Sequence, residues 1–257
     1  GPSVVPNAVL LHFDNGIAFE DPGFPQTTAI DSSPSAHVFT THGTNSEIYV
    51  TDEFQAARFG PSYMFFFYNA DDYVSNGGIS ASSSEFAVNS TTDWTVEGWI
   101  YFDSFFKPDG ESSVDEQFLV NIVDSDGNNV LIIQIDYNDS WDPYLVGWVF
   151  DDSFSFVRPN ATAKSMLPLD QWVHFAFVHE AGNYTLYQNG IRADYVPLPS
   201  FEMRTNGDNL SLGGAMQDGS GDVVAKFVTC LFDEFRIVNG KAIYTGVNYE
   251  TPTGPFA

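Results

Sequence analysis

Short apolar runs, most of them rich in aromatic or β-branched residues, alternate along the chain with clusters of Gly, Pro, Asn, Asp and Ser. Such runs predict β-strands at residues 8–13, 48–50, 62–68, 94–102, 118–123, 130–136, 145–150, 154–157, 172–179, 183–188, 209–212 and 226–238. Residues 188–191 (QNGI) carry the Asn-Gly signal of a tight hairpin, and only residues 52–58 predict a helix. Many short strands separated by turns predict an all-β fold, a two-sheet antiparallel β-sandwich of the jelly-roll type.

The chain shows neither a linker-like stretch nor an internal repeat, so we expect a single domain over residues 8–257. Residues 1–7 are interpreted as a lead-in. Its first two residues, Gly1 and Pro2, resemble the remnant that a tag-cleaving protease leaves behind.

Alternation along residues 231–237 gives more detail about the last long strand. One face carries Leu231, Asp233, Phe235 and Ile237, and the apolar character of that face predicts that it is buried. Asp233 is thereby placed among core residues, where a carboxylate is costly unless it is paired or hydrogen-bonded. Glu234 and Arg236 lie on the opposite face and are expected to form an ordinary solvated pair.

Several polar or aromatic side chains in strands are assigned to packing. His174, in a strand that is apolar on both sides, is expected to be a buried, hydrogen-bonded histidine, and Cys230 a packed thiol. The same assignment is made for four tryptophans, Trp94, Trp99, Trp148 and Trp172.

Charge excludes several classes of partner. The 257 residues include 9 Lys and Arg against 34 Asp and Glu, a formal net charge of -25. Nucleic acids and anionic membrane surfaces are excluded, because binding them requires a basic cluster that the chain lacks. No apolar run reaches the roughly 20 residues of a membrane span, so membrane insertion is not expected. An acid-rich surface with a single cysteine predicts an extracellular location.

Several stretches together resemble laminin-G-like, concanavalin A-like jelly-roll domains. The resemblance is carried by residues 93–100 (DWTVEGWI), 171–178 (QWVHFAFV), 184–190 (YTLYQNG), 210–214 (LSLGG), 232–237 (FDEFRI) and 242–245 (AIYT). Residues 10–14, 31–33 and 67–74 resemble the first third of the family, so the similarity extends from about residue 8 to residue 256. The closing region is most similar to versions in phage and viral tail or virion-surface proteins.

This resemblance implies a sandwich whose loops are available to ligands, but it does not fix an activity. Glucanases of this fold carry their acids on one strand as Glu-x-Asp-x-Glu or Glu-x-Asp-x-x-Glu, and neither pattern occurs here. The acidic pairs at residues 115–116 and 233–234 are adjacent, so their members point to opposite faces of a strand. We therefore expect a protein that is not an enzyme.

An aromatic and acidic loop is the candidate ligand site. Trp141, Asp142 and Tyr144 combine aromatic faces with a polar group, as glycan recognition requires, and Asp151 and Asp152 follow closely. The alternative is that Trp141 only closes the end of a sheet. Both interpretations stay open at this point.

Three aspartates are candidate ligands for a structural calcium ion. Asp14 follows the first strand, Asp31 follows the first loop, and Asp233 lies in the last long strand. First and last strands are neighbours in the family that the chain resembles, so the three carboxylates could converge on a Ca²⁺ ion. The alternative is that Asp233 accepts backbone N–H bonds and holds the termini together without a metal.

The leading hypothesis is a non-catalytic adhesion and carbohydrate-binding module on a virion or phage tail, with a host-surface glycan or receptor as its partner. One alternative is a structural decoration or assembly protein that contacts other virion proteins. Another is a secreted bacterial polysaccharide-binding module.

Overall fold

The protein is described from a computed structural model. The described residues are 6–14, 29–42, 48–51, 57–61, 63–66, 78–103, 116–161, 166–216, 223–226 and 228–257. Within these segments, no helix has the length and apolar character needed to cross a membrane.

β-Strands account for nearly all of the regular structure in the described segments. In chain order they are β1 (Val9–Leu11), β2 (Thr40–Thr41), β3 (Ile48–Thr51), β4 (Tyr63–Phe66), β5 (Ile79–Ser82), β6 (Trp94–Tyr101), β7 (Glu116–Val123), β8 (Asn129–Tyr137), β9 (Pro143–Phe150), β10 (Phe156–Val157), β11 (Trp172–Glu180), β12 (Asn183–Gln188), β13 (Ile191–Pro197), β14 (Asn209–Leu212), β15 (Ala215–Met216), β16 (Val223–Ala225) and β17 (Cys230–Asn239). A single-turn 3-10 helix covers Ser84–Phe86, and the Ser83 side chain caps it by accepting the Glu85 N–H.

Most strands belong to two antiparallel sheets that pack face to face. An eight-stranded sheet has the order β13-β12-β11-β6-β17-β4-β3, and β1 also pairs with β17. A seven-stranded sheet has the order β10-β9-β8-β7-β14-β5-β2, and β15 pairs separately with β16. The predicted all-β sandwich of the concanavalin A-like type is therefore confirmed.

Two glycines inside strands make room for aromatic rings between the sheets. A Cβ atom on Gly147 would lie 2.9 Å from the Phe177 ring, and one on Gly98 would lie 3.0 Å from the Phe175 ring. Both phenylalanines belong to the main buried cluster. Gly147 allows close packing against Phe177 of the opposite sheet, while Gly98 gives room to Phe175 on the neighbouring strand of its own sheet.

Most predicted strands are confirmed, and the exceptions have local causes. The hairpin at residues 188–191 turns through Asn189 (φ 50°) and Gly190 (φ 76°), as the Asn-Gly pair predicts. The strands outside the predicted runs are β2, β5, β13, β15 and β16, because β2, β15 and β16 have only two or three residues and the other two contain several polar or small residues. Of the predicted helix at 52–58, residues 52–56 lie outside the described residues, and 57–58 are not helical.

The prediction for the last strand is wrong in one respect, because a β-bulge interrupts the alternation of β17. Glu234 has φ 53°, and the register with β6 shifts between Asp233 and Phe235. Glu234 is fully buried and lies 2.9 Å from the His12 ring nitrogen, while Arg236 pairs with Glu97. The two residues therefore do not form the expected solvated pair.

Because of the bulge, Asp233 and Ile237 lie on opposite faces of the sheet and not on one face as predicted. Asp233 is buried, as predicted, but it pairs in register with Trp99, and Trp99 lies outside the cluster between the sheets. Asp233 therefore lies on the face of the eight-stranded sheet that points away from the other sheet. We call this face the outer face. Residues 57–61 cover Asp233 there, since the Phe59 N–H donates to its Oδ2 at 2.8 Å.

The C-terminal segment covers much of the outer face. Tyr244 and Tyr249 pack on Ala176 and Tyr187, while Phe256 packs on Leu10 and Trp99. A part of the sheet between this segment and residues 57–61 stays accessible, and the candidate site lies there.

Candidate functional site

A pocket of about 530 Å³ opens on the outer face of the eight-stranded sheet. It is lined by Arg58, Trp99, Tyr101, Asp170, Gln171, Trp172, Asn189 and Thr251. We call Trp99, Tyr101 and Trp172 the aromatic floor, and Asp170, Gln171, Asn189 and Thr251 the polar rim.

Neighbouring strands position the aromatic floor. Trp99 and Tyr101 are two apart on β6 and share its outer face, and Trp172 begins β11 directly opposite Tyr101. The Trp172 ring meets the rings of Tyr101 and Tyr63 edge-on, at centroid distances of 5.7 and 6.0 Å. Trp172 is the most exposed of the three floor residues, since Trp99 and Tyr101 are buried. The Trp172 side chain is thus the aromatic surface that a ligand would meet.

Arg58 forms one wall of the pocket. Its guanidinium carbon lies 4.2 Å from the centroid of the Trp99 ring and 4.7 Å from that of Phe59. The backbone of residues 57–61 is fixed by Asp233, whose carboxylate accepts the Phe59 N–H. Burial raises the pKa of the Asp233 carboxyl to about 8, with a further rise from the nearby charges of Glu234 and Asp14.

Turns supply the polar rim. Asp170, with φ 57°, donates its backbone N–H to the Phe102 carbonyl, and this bond fixes the turn that enters β11. The side-chain oxygen of Asn189 accepts the His174 N–H at 2.9 Å, which leaves the amide NH₂ group as its donor toward a ligand. Carboxylate, amide and hydroxyl groups of this kind are suited to hydrogen bonds with sugar hydroxyls.

A buried polar cluster fastens the C-terminal segment that carries Thr251. Glu97 accepts hydrogen bonds from His174 at 3.0 Å, Tyr244 at 2.6 Å and Arg236 at 2.7 Å. Burial acts to raise the pKa of Glu97, but the His174 bond and the Arg236 charge outweigh it and hold that pKa below its ordinary value. His174 is fully buried and lies 2.7 Å from the Tyr249 hydroxyl, so its assignment as a hydrogen-bonded histidine is confirmed.

The loop with Trp141, Asp142 and Tyr144 does not present these three side chains as the single exposed surface that the sequence predicts. Trp141 is partly exposed with φ 60°, and its ring lies 6.3 Å from that of Tyr137. Tyr144 is buried, and its hydroxyl donates to Asp136 at 3.5 Å on the face of β9 opposite Gly147, the residue that meets the other sheet. Asp142 is partly exposed, and its backbone N–H donates to the Asn138 side chain, which closes the loop.

Asp151 and Asp152 lie far from Trp141. The two aspartates follow the last residue of β9 and Trp141 precedes its first, so the length of an eight-residue strand separates them, about 26 Å. Asp151 accepts the backbone N–H groups of Ser153 and Ser155. The five predicted residues therefore do not form one surface, and ligand binding by any of them stays a prediction.

The structure gives Asp31 a role without a metal. Its two carboxylate oxygens accept the backbone N–H groups of Leu10, Ser33 and His37 and the Ser33 hydroxyl, and one lies 2.7 Å from the His37 ring nitrogen. Burial acts to raise the pKa of Asp31, but these bonds outweigh it and lower the pKa. Asp31 thus accepts backbone N–H bonds without a metal, which is the role that the sequence suggested as the alternative for Asp233.

Asp14 and Asp233 lie near each other at the end of β1, where burial raises the pKa of both carboxyls. Within the segments that the structure describes, no three His, Cys, Asp or Glu side chains form a group that could hold a metal ion. Asp14, Asp31 and Asp233 thus do not converge as a ligand set, and calcium binding by this protein stays a prediction.

Sequence reasoning assigned Trp99 and Trp172 to packing and so missed the pocket. A signal was nevertheless present in β6, where Thr95, Glu97, Trp99 and Tyr101 share one face of the strand. Two polar residues followed by two amphipathic aromatics indicate a partly accessible face. The contribution of Arg58 had no such signal, because it depends on a distant segment folding over the sheet.

Comparison with known families gives one match. A family model described as the concanavalin A-like lectin/glucanases superfamily matches residues 69–243. Comparison with curated proteins finds no match.

Among solved structures, the binding domain of Paraclostridial Mosquitocidal Protein 1 superimposes with a TM-score of 0.64 at 16% identity, over 93% of this chain and 50% of that chain. Our chain thus spans half the length of that structure. Domain 4 of AbnA, a GH43 extracellular arabinanase from Geobacillus stearothermophilus in complex with arabinotriose, gives a TM-score of 0.56 at 16% identity, over 91% of this chain and 92% of that chain. At these identities the likeness shows a shared fold.

Proposed function

Because the chain belongs to the concanavalin A-like lectin/glucanase superfamily, we propose that it is a non-catalytic carbohydrate-binding module whose ligand site is the pocket on the outer face. The observation that carries this proposal is the aromatic floor placed beside the polar rim. Sugar rings pack their C–H faces on aromatic side chains, while their hydroxyls bond to planar polar groups around them. Trp172 is the packing surface, and the rim supplies the hydrogen bonds.

Two solved structures of the same fold support binding as the activity. One is the binding domain of a mosquitocidal protein, and the other is an arabinanase domain in complex with arabinotriose. Binding without hydrolysis agrees with the composition of the pocket, since glycosidases use two carboxyl groups about 5–10 Å apart. Among the described residues that line the pocket, Asp170 is the only one with a carboxylate.

The proposed setting is adhesion to a host-surface glycan by a virion or phage tail. Its support is the resemblance of the closing region to domains of such proteins, together with an acidic net charge of -25 that suits an extracellular surface. Display on an oligomer would raise the strength of weak single sites by avidity. A secreted bacterial polysaccharide-binding module is the second candidate, and the likeness to a domain of an extracellular arabinanase favours it.

A glycan array followed by calorimetric titration tests the site. We expect Trp172→Ala to weaken binding of the best ligand at least tenfold, while Trp172→Tyr keeps most of the affinity because it retains an aromatic face. Trp141→Ala is the matched control and should stay within twofold of the unmodified protein. Equal melting temperatures would show that the variants fold alike.

Two outcomes contradict the proposal in different ways. Loss of binding in Trp141→Ala with none in Trp172→Ala would move the site to the loop at residues 137–144. An array without any glycan signal would remove the binding activity itself. That result would favour a structural role in which the exposed rings of Phe154 and Phe156 contact another virion protein.

A further inference from the structure

Among the described residues, Arg58 differs from most other bases because none of the described carboxylates pairs with it. The chain has 9 Lys and Arg against 34 Asp and Glu, so an acidic neighbour is easily found. Four bases do have one, namely Arg158, Arg204, Lys226 and Arg236. Within the described segments Arg58 makes no ion pair, and its Nε atom, shielded from solvent, has no hydrogen-bond partner.

The surroundings of Arg58 strengthen its attraction for an anion. Its guanidinium is held by the rings of Trp99 and Phe59, at 4.2 and 4.7 Å, which displace water from part of the group without neutralising it. A guanidinium keeps its charge at all ordinary pH values and presents paired donors that match the two oxygens of a carboxylate. The net charge of -25 repels anions from the protein as a whole, whereas Arg58 attracts them at this one place.

Arg58 and Trp172 line the same pocket, so one ligand can use both. We infer that the pocket selects acidic sugars: the sugar ring packs on Trp172 and its carboxylate forms a paired hydrogen bond with Arg58. The inference rests on the proposed carbohydrate-binding function and names the ligand class of that site. Uronic acids and sialic acids both carry this carboxylate, and the polar rim then binds the hydroxyls of either.

The test compares acidic sugars with neutral partners of the same size. Trigalacturonic acid is titrated beside its methyl ester, and sialyllactose beside lactose, in a calorimeter at 150 mM NaCl. We expect at least one acidic sugar to bind ten times or more tightly than its neutral partner, and the responding pair identifies the acid. Arg58→Gln should reduce that preference to twofold or less, because it weakens binding of the acidic sugar more than binding of its neutral partner. Arg58→Lys should keep part of the preference, since it retains the charge but loses the paired donors.

Arg192→Gln is the matched control. Arg192 is also placed over an aromatic ring, that of Tyr195 at 4.9 Å, and its loss changes the net charge by the same amount. It does not line the pocket, so the acidic preference should survive. Equal binding of acidic and neutral sugars by the unmodified protein would overturn the inference alone. Binding of none of the four sugars, together with an empty glycan array, would overturn the proposed function as well.

Discussion

His174 on β11 and Glu97 on β6 are joined by a 3.0 Å hydrogen bond in which both side chains are fully excluded from solvent. The pair lies on the outer face of the eight-stranded sheet, a place where a solvated surface is the usual arrangement for an antiparallel sheet. The C-terminal segment makes the burial possible, because Tyr244 and Tyr249 cover the two side chains and bond to them. The same segment carries Thr251 to the pocket, which links the buried cluster to the site.

Glu97→Gln tests how much the buried cluster contributes to stability. The substitution preserves size but removes the charge that Arg236 and His174 share, and breaking a buried pair in this way costs about 3–5 kcal/mol. We expect a loss in the free energy of unfolding near that range, measured by chemical denaturation. Tyr244→Phe removes only one hydrogen bond of the cluster and should cost less, about 1–2 kcal/mol. A stability of Glu97→Gln equal to that of the unmodified protein would contradict a structural role for the carboxylate.

Asp233→Asn should stabilise the protein in a pH-dependent way. Burial raises the pKa of Asp233 to about 8, so its neutral form is favoured in the folded state. The contribution of this group to stability is complete below the ordinary carboxyl pKa of about 4 and is lost as the pH rises through 8. At pH 8 we expect Asp233→Asn to raise the free energy of unfolding by roughly 2–4 kcal/mol, with little effect at pH 4.

Urea denaturation at both pH values measures this difference. Asp152→Asn changes the net charge equally at an exposed position and serves as the control. A gain of the same size at pH 4 and pH 8 would show that charge burial is not its cause.

The hairpin of β11 and β12 and the bulge of β17 show what could be predicted. The hairpin is specified by neighbours in sequence: two apolar strands joined by a turn at Ala181 and Gly182, both of which have positive φ. The bulge places a glutamate, Glu234, at positive φ, a position that usually favours glycine, and no local pattern marks it. It is stabilised from afar by His12 and by the Phe256 N–H.

The pocket could be predicted only in part, because residues that are distant in sequence complete it. Alternation along β6 places Trp99 and Tyr101 on one face, but whether that face is solvated or covered depends on segments far away in sequence. Arg58 and Thr251 come from two such segments. Their approach to β6 and β11 follows from packing over the outer face, which a single sequence does not reveal.

Asp31→Asn separates a backbone-holding role from a calcium-binding one. An amide at this position replaces one acceptor oxygen by a donor that faces other donors, so we expect a loss of roughly 2–4 kcal/mol at pH 7. Since the pKa of Asp31 is lowered by folding, its contribution is present above the ordinary carboxyl pKa and is lost as the pH falls below about 4. The loss should be the same in CaCl₂ and in EDTA. Stabilisation by Ca²⁺ that disappears in Asp31→Asn would instead support the metal site.

Gly147→Ala tests the close packing of the two sheets. The added methyl group would lie 2.9 Å from one carbon of the Phe177 ring and 3.0 Å from another, so the ring or the strand must shift. Overpacking of this kind costs about 1–3 kcal/mol, which we expect as a lower free energy of unfolding. Gly254→Ala is the matched control, because no atom lies within 4 Å of its added Cβ, and its effect should stay within about 0.5 kcal/mol. Equal effects of the two substitutions would show that the β9 backbone is not in close contact with Phe177 of the opposite sheet.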